Sequence, residues 1–152
     1  MQHPLLSIFL LLGLSLSQLT YAQNLNIKND TFWNTQDGQP IYSQGGGIFS
    51  FADPLSGEKK YYWYGVHYKE AELYRRNPAI TQPKANFEAV TCYSSTDLVN
   101  WKFESNVLTP EEVNKPSKTW VGRLGVAFIP ELKKYALIVQ HGNKVLFTTC
   151  DT

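Results

Sequence analysis

Along most of this chain, apolar and polar positions alternate in short runs, and each run ends at a turn signal. Residues 41–51 read as a strand interrupted by Gly45-Gly46-Gly47, closed by the turn Asp53-Pro54-Leu55-Ser56-Gly57. Residues 60–68 form a second strand with consecutive aromatics from Tyr61 to Tyr64. Over 69–88 the alternation dissolves. Charges, Pro78 and Pro83 mark a long excursion there, with a helical turn around 70–76. Residues 89–95 and 101–108 are the third and fourth strands, joined by the tight turn Asp97-Leu98-Val99-Asn100. Residues 109–118 are rich in Pro and Glu and read as a linker. Three further strands follow at 120–129, 135–140 and 145–150, with turns at 130–134 and at His141-Gly142-Asn143. Short strands with regular turns predict an all-β sandwich, barrel or propeller.

An internal repeat chooses among these. Lys59-Lys60-Tyr61 is followed by His67, and Lys133-Lys134-Tyr135, 74 residues further on, is followed at the same spacing by His141. A Gly-then-apolar strand precedes each block, Gly47-Ile48-Phe49 in one and Gly125-Val126-Ala127 in the other, with a turn containing Pro54 or Pro130 between. Each repeat is a meander of about four antiparallel strands, the size of a propeller blade. The first spans about 45–108, and the second, about 120–152, holds three strands. Since at least four blades are needed to close a propeller, the chain reads as the N-terminal part of one, with about two blades.

Ahead of this domain, residues 5–16 form an apolar run broken only by Ser7, Gly13 and Ser15, and Ala22 suits cleavage before Gln23. The run is shorter than the ~20 apolar residues of a membrane span. Residues 1–22 therefore read as a signal peptide, and 23–152 as an exported domain, periplasmic or extracellular, with no membrane contact after cleavage.

Lys+Arg total 14 against Asp+Glu 13, which gives no electrostatic reason to expect nucleic acid as a partner. Aromatic residues make up 14% of the chain, a composition that suits half-buried strands and also surfaces that stack on sugars. Export permits a Cys92–Cys150 disulfide, whereas their strand-like settings read as small buried apolar residues. The glycine run is followed by no Lys-Ser or Lys-Thr and is not a phosphate loop. Neither a metal-binding pattern nor a cofactor motif is visible.

In a meander, the start of the first strand lies beside the end of the second. Ser43 and Gln44 thus approach Val66, His67 and Tyr68, and Gly122 and Arg123 approach Gln140 and His141. First strands line a propeller's central channel, so both clusters are expected to face one funnel. Gln44, His67, Arg123, Gln140 and His141 carry donors and acceptors suited to sugar hydroxyls. Tyr68, at the funnel edge, offers a ring for stacking. Each also has a structural reading: the histidines as bonds to strand ends, Arg123 as half of an ion pair, Gln44 as a partner for channel backbone. Asp53 and Asp97 sit in turns and read as structural. No catalytic residue is assigned.

Three stretches carry a resemblance: Ser43-Gln44-Gly45-Gly46-Gly47-Ile48, Tyr61-Tyr62-Trp63-Tyr64-Gly65, and Tyr93-Ser94-Ser95-Thr96-Asp97-Leu98-Val99-Asn100-Trp101. They resemble glycoside hydrolase family 43, in the branch that includes exo-β-1,3-galactanases, and the resemblance runs over 42–152. It implies a five-bladed propeller and a carbohydrate substrate. The implied reaction is hydrolysis of O-glycosyl bonds in plant-type polysaccharide side chains of the galactan or arabinan class, exo-acting and inverting. The family's general acid comes from a later blade, which implies that this chain lacks it. Val66 and Gly122 stand where the galactanase branch often has Glu, and Gln44 stands where the family commonly has an aspartate base. The alternative is a non-catalytic carbohydrate-binding or structural propeller module, with the funnel but without the carboxylates.

Overall fold

The computed structural model describes residues 26–53, 56–113 and 120–151. The expected signal peptide, Pro54-Leu55 of the first turn, residues 114–119 of the expected linker and Thr152 lie outside them. Among the described residues the elements are β1 (Gln44–Ala52), β2 (Lys59–Tyr68), α1 (Ala71–Arg76), β3 (Phe87–Ser95), β4 (Lys102–Leu108), β5 (Val121–Ile129), β6 (Lys134–His141) and β7 (Lys144–Asp151). They form two antiparallel meanders, a sheet ordered β1-β2-β3-β4 and a sheet ordered β5-β6-β7. None of their helices is long and apolar enough to cross a membrane.

Successive residues of a strand point to opposite faces, so the register sorts the side chains. On β2, Tyr64 and Val66 pair with Cys92 and Val90 of β3 and share one face. That face meets the second sheet: Val66, Tyr68, Phe87, Val90 and Leu108 pack on Val121, Leu137 and Val139. Fully burying one such side chain stabilises by about 1.5–3 kcal/mol, so this interlayer joins the two sheets into one body. The Phe51 and Tyr135 rings extend it edge to face, 4.7 Å apart.

The opposite face of the first sheet is covered by the lead-in segment, residues 26–43. Trp33 meets Trp63 edge-on at 5.7 Å, and Trp63 meets Trp101 at 5.3 Å. The Gln36 N–H donates to the Trp101 carbonyl (2.9 Å), and the Tyr42 N–H donates to the Tyr93 hydroxyl (3.2 Å). These bonds explain why β1 begins at Gln44 rather than at residue 41: the backbone of Tyr42 is engaged by β3 side chains, including a bond from Thr91 Oγ1 to its carbonyl (2.7 Å).

The β3–β4 turn shows what the Ser-Ser-Thr-Asp-Leu-Val-Asn-Trp stretch does. The Ser95 hydroxyl accepts from the Leu98 N–H, while Asp97 Oδ1 accepts from the N–H groups of Val99 (2.9 Å) and Asn100 (2.7 Å). Leu98 takes a positive φ of 66°, and Trp101, fully buried, donates from Nε1 to the Leu98 carbonyl. The motif is a structural clasp. Asp53 has a similar part in the β1–β2 turn, where it pairs with Lys60 at 2.6 Å.

Both cysteines are free thiols. Cys92 is buried, and its thiol is pushed up to about 11 chiefly by that burial. Cys150 departs from the expected buried setting and is exposed, on β7, which among the described residues is bonded to β6 alone.

Candidate functional site at the funnel end of the two sheets

The chemistry-bearing residues are positioned by two matching irregularities. The β1–β2 register breaks between Gln44 and Gly47, and the β5–β6 register breaks between Gly122 and Gly125. Within the breaks, Gly45 has φ 65° and Arg123 has φ 46°. Bulges re-aim the side chains that follow them and are frequent beside functional sites. The left-handed conformation suits Gly45 but costs an L-residue such as Arg123 about 1–2 kcal/mol. Close backbone approach accounts for two other glycines: a Cβ on Gly46 would strike the Tyr64 carbonyl, and one on Gly65 would strike Ser43.

Gln44 pairs with Val66, and Gly122 with Gln140, so both clusters sit at the same end of their sheets. Gln44 and Arg123 are exposed. Gln140 is half-buried and donates from Nε2 to the Gly142 carbonyl (3.0 Å). His141 is buried, and it ends β6 in register with Lys144 instead of opening the turn. His67 stacks flat on Tyr42, with ring centroids 4.4 Å apart, and its Nε2 is buried without a hydrogen-bond partner among the described residues. Burial holds the His67 imidazole below its ordinary range, against the opposing pull of Glu88 and Glu72, so His67 is neutral at physiological pH.

Tyr68 is not the open stacking surface expected of it. The residue is only 7% exposed, and its hydroxyl donates to the Val121 carbonyl across the boundary of the sheets. The aromatic partners at this end come from elsewhere. An open cavity of about 600 Å³ is bounded by Ser43, Gln44, Val66 and Tyr68 together with Tyr42, Tyr74 and Arg75. Arg123, Gln140 and His141 do not line it. Its outer wall is the excursion between β2 and β3. Glu70 accepts from Asn86 N–H (2.8 Å) and from the Asn86 side chain, which closes the excursion's base. Arg75 donates to the Trp33 carbonyl (3.1 Å) and lies over the Phe32 ring at 5.2 Å, which ties α1 to the lead-in segment.

Tyr42, Tyr74 and Arg75 went unassigned in the sequence. The available signal was the length of the excursion and its start at the funnel end of β2. Ser43 also gains weight, since its hydroxyl is buried with no hydrogen-bond partner among the described residues.

No protein-family profile matches this chain, and no curated protein matches it. Solved structures do. An exo-β-1,3-galactanase from Clostridium thermocellum superposes with a TM-score of 0.62 at 24% identity, over 83% of this chain and 25% of that one. An exo-β-1,3-galactanase from Phanerochaete chrysosporium, solved with galactose, gives 0.63 at 24% identity, over 83% and 27%. A family 43 β-1,3-galactosidase gives 0.55 at 23% identity, over 83% and 25%. The chain thus has the all-β propeller-blade fold of these glycosidases and spans about a quarter of the length of the galactanases it matches.

Proposed function

We propose that this chain supplies the sugar-orienting part of a glycoside hydrolase that acts on terminal residues of galactan- or arabinan-type side chains, with inversion. The observation that carries the reading is the likeness of its fold to exo-β-1,3-galactanases, one of them solved with galactose. Gln44, His67, Arg123 and Gln140 supply donors and acceptors for ring hydroxyls, with His141 buried at the end of β6, while Tyr68 and Ser43 border the adjoining cavity.

Inverting hydrolysis needs a general acid and a general base, with their carboxyl groups about 6.5–9.5 Å apart across the scissile bond. None of the residues assigned to this cluster is a carboxylate. In this proposal the cluster binds and orients the sugar, and the acid and base come from outside it. Glu70, which also lines the cavity, is engaged by Asn86, and a cluster without a carboxylate of its own supports a second reading, a carbohydrate-binding module without catalysis.

The test is release of reducing sugar from β-1,3-galactan and arabinan, by the chain alone and by a longer polypeptide that contains it, with galactose binding measured alongside. The expected result is weak binding and no turnover by the chain, and turnover by the longer protein. Turnover by the chain alone would overturn the division of labour. A longer protein that binds galactose without cleaving either polymer would establish the second reading.

A further inference from the structure

We propose that the cavity between the lead-in segment and the excursion after β2 is a second sugar subsite, which takes a pyranose bearing a carboxylate, a uronic acid. That the ligand is a sugar rests on the glycosidase reading above; that it is anionic rests on the cavity itself. The residues that line the cavity all fall within 32–85. The excursion leaves the first sheet at Tyr68 and rejoins it at Phe87, its partner in the register. The outer wall thus stands beyond the strand ends, and not on a face against which another blade packs.

The charges of the excursion are nearly all engaged by one another. Lys69 pairs with Glu88 at 3.2 Å, and Arg76 with Glu72 at 3.7 Å. Both carboxylate oxygens of Glu70 accept from Asn86. Two cations are left over, Arg75 and Lys84, and both line the cavity. Arg75 is half-buried, and its hydrogen-bond partners are neutral oxygens, the Trp33 carbonyl and Asn34 Oδ1. Lys84 has no ion-pair partner among the described residues. The cavity therefore sets two cations against one carboxylate that is already bonded. That surplus attracts an anion, and the Arg75 guanidinium keeps N–H groups to spare for a carboxylate.

The other walls favour a sugar over a bare anion. Phe32 and Tyr74 are exposed in the lining and meet edge to face at 5.9 Å. Tyr42 is held flat against His67 and is fixed through its backbone by Thr91 and Tyr93. Such rings pack on the C–H face of a pyranose, while Gln44, Gln82 and the unpartnered Ser43 hydroxyl offer bonds to its hydroxyls. The volume of about 600 Å³ falls within the range of small-molecule sites, roughly 300–1,000 Å³.

The test is a chemical-shift titration of the isotope-labelled full chain with methyl β-glucuronide and with methyl β-glucoside, which differ only in the carboxylate at C6. The glucuronide should bind about fivefold more tightly, and the preference should shrink as salt is raised. Its shifts should centre on Tyr74, Arg75 and Lys84, and excess galactose should not displace it. Lys84→Glu should remove the preference, and Lys84→Arg should keep it. Tyr74→Ala should weaken both glycosides, with circular dichroism confirming the fold of each variant. No glucuronide binding, equal binding of the two glycosides, shifts confined to Arg123 and Gln140, displacement by galactose, or a preference indifferent to Lys84→Glu would each overturn the proposal. Glucuronide binding by a chain that does not bind galactose would uphold it and count against the funnel reading instead.

Discussion

The Tyr68 hydroxyl donates its hydrogen to the Val121 carbonyl, joining the end of β2 to the start of β5 across the boundary between the two sheets. Both residues are buried, so the carbonyl has no water to turn to if the phenol is removed. Tyr68→Phe should lower the unfolding free energy by about 1–3 kcal/mol. Tyr68→Ala also removes the ring and should cost about 3–5 kcal/mol. Urea denaturation of the two variants separates the bond from the packing. A Phe variant as stable as the parent would show that the bond contributes nothing.

Arg123 holds a left-handed backbone at the place where the first sheet uses Gly45. Arg123→Gly should therefore stabilise the chain by up to about 1 kcal/mol, the smaller entropy of an ordered non-glycine residue offsetting part of the relieved strain. If Arg123 orients sugar as proposed, the same variant binds galactose more weakly. Denaturant midpoints and a galactose titration on one preparation check both halves, and a loss of stability would contradict the strain argument.

His67 ties stability to pH. Its folded-state pKa is lowered from the ordinary 6.5 by burial, so the unfolded chain takes up the proton first as pH falls. The His67 contribution is therefore intact above the unfolded value and is lost as pH drops through it toward the lowered folded value. His67→Gln should reduce the fall in urea midpoint between roughly pH 7 and pH 5 relative to the parent. An unchanged slope would place the pH dependence in other groups.

Asp97 anchors the β3–β4 turn. Burial alone would raise its carboxyl, but bonds from the Asn100 N–H and side chain, the Val99 N–H and Ser95 outweigh that and hold it at about 2. Asp97→Ala removes these acceptors together and should cost about 2 kcal/mol. The anchoring weakens only as pH falls below the ordinary 3.8 toward about 2. Thermal melts of the variant at neutral and at strongly acidic pH should converge on the parent only in acid.

The strands were legible in the sequence because alternation and turn residues act locally. Asp97 and the Gly57 region each close a hairpin with partners a few residues away, and Gly142 supplies the positive φ of the short β6–β7 turn. The repeat was legible for the same reason, and the antiparallel meander places Gln44 beside Val66 and Gly122 beside Gln140, as the register has them. What escaped were settings decided by distant partners. The burial of Tyr68 depends on the second sheet, which meets it at Val121. The cavity wall depends on Arg75 reaching Trp33. The shared bulge was hidden because its two occupants, Gly45 and Arg123, have nothing in common as side chains.

The lead-in segment is made before anything it covers. Trp33 must wait for Trp63, Tyr42 for Thr91 and Tyr93, which follow it by 49 and 51 positions, and Gln36 for Trp101. Contacts closed over such distances form late, since the entropy of the intervening loop is lost before they are gained. The hairpins of the first sheet can form in sequence as the chain emerges during synthesis. The segment at its head stays undocked until the turn into the fourth strand has appeared. Order of manufacture and order of docking thus run in opposite directions, and the first sheet spends its youth with one apolar face open to water.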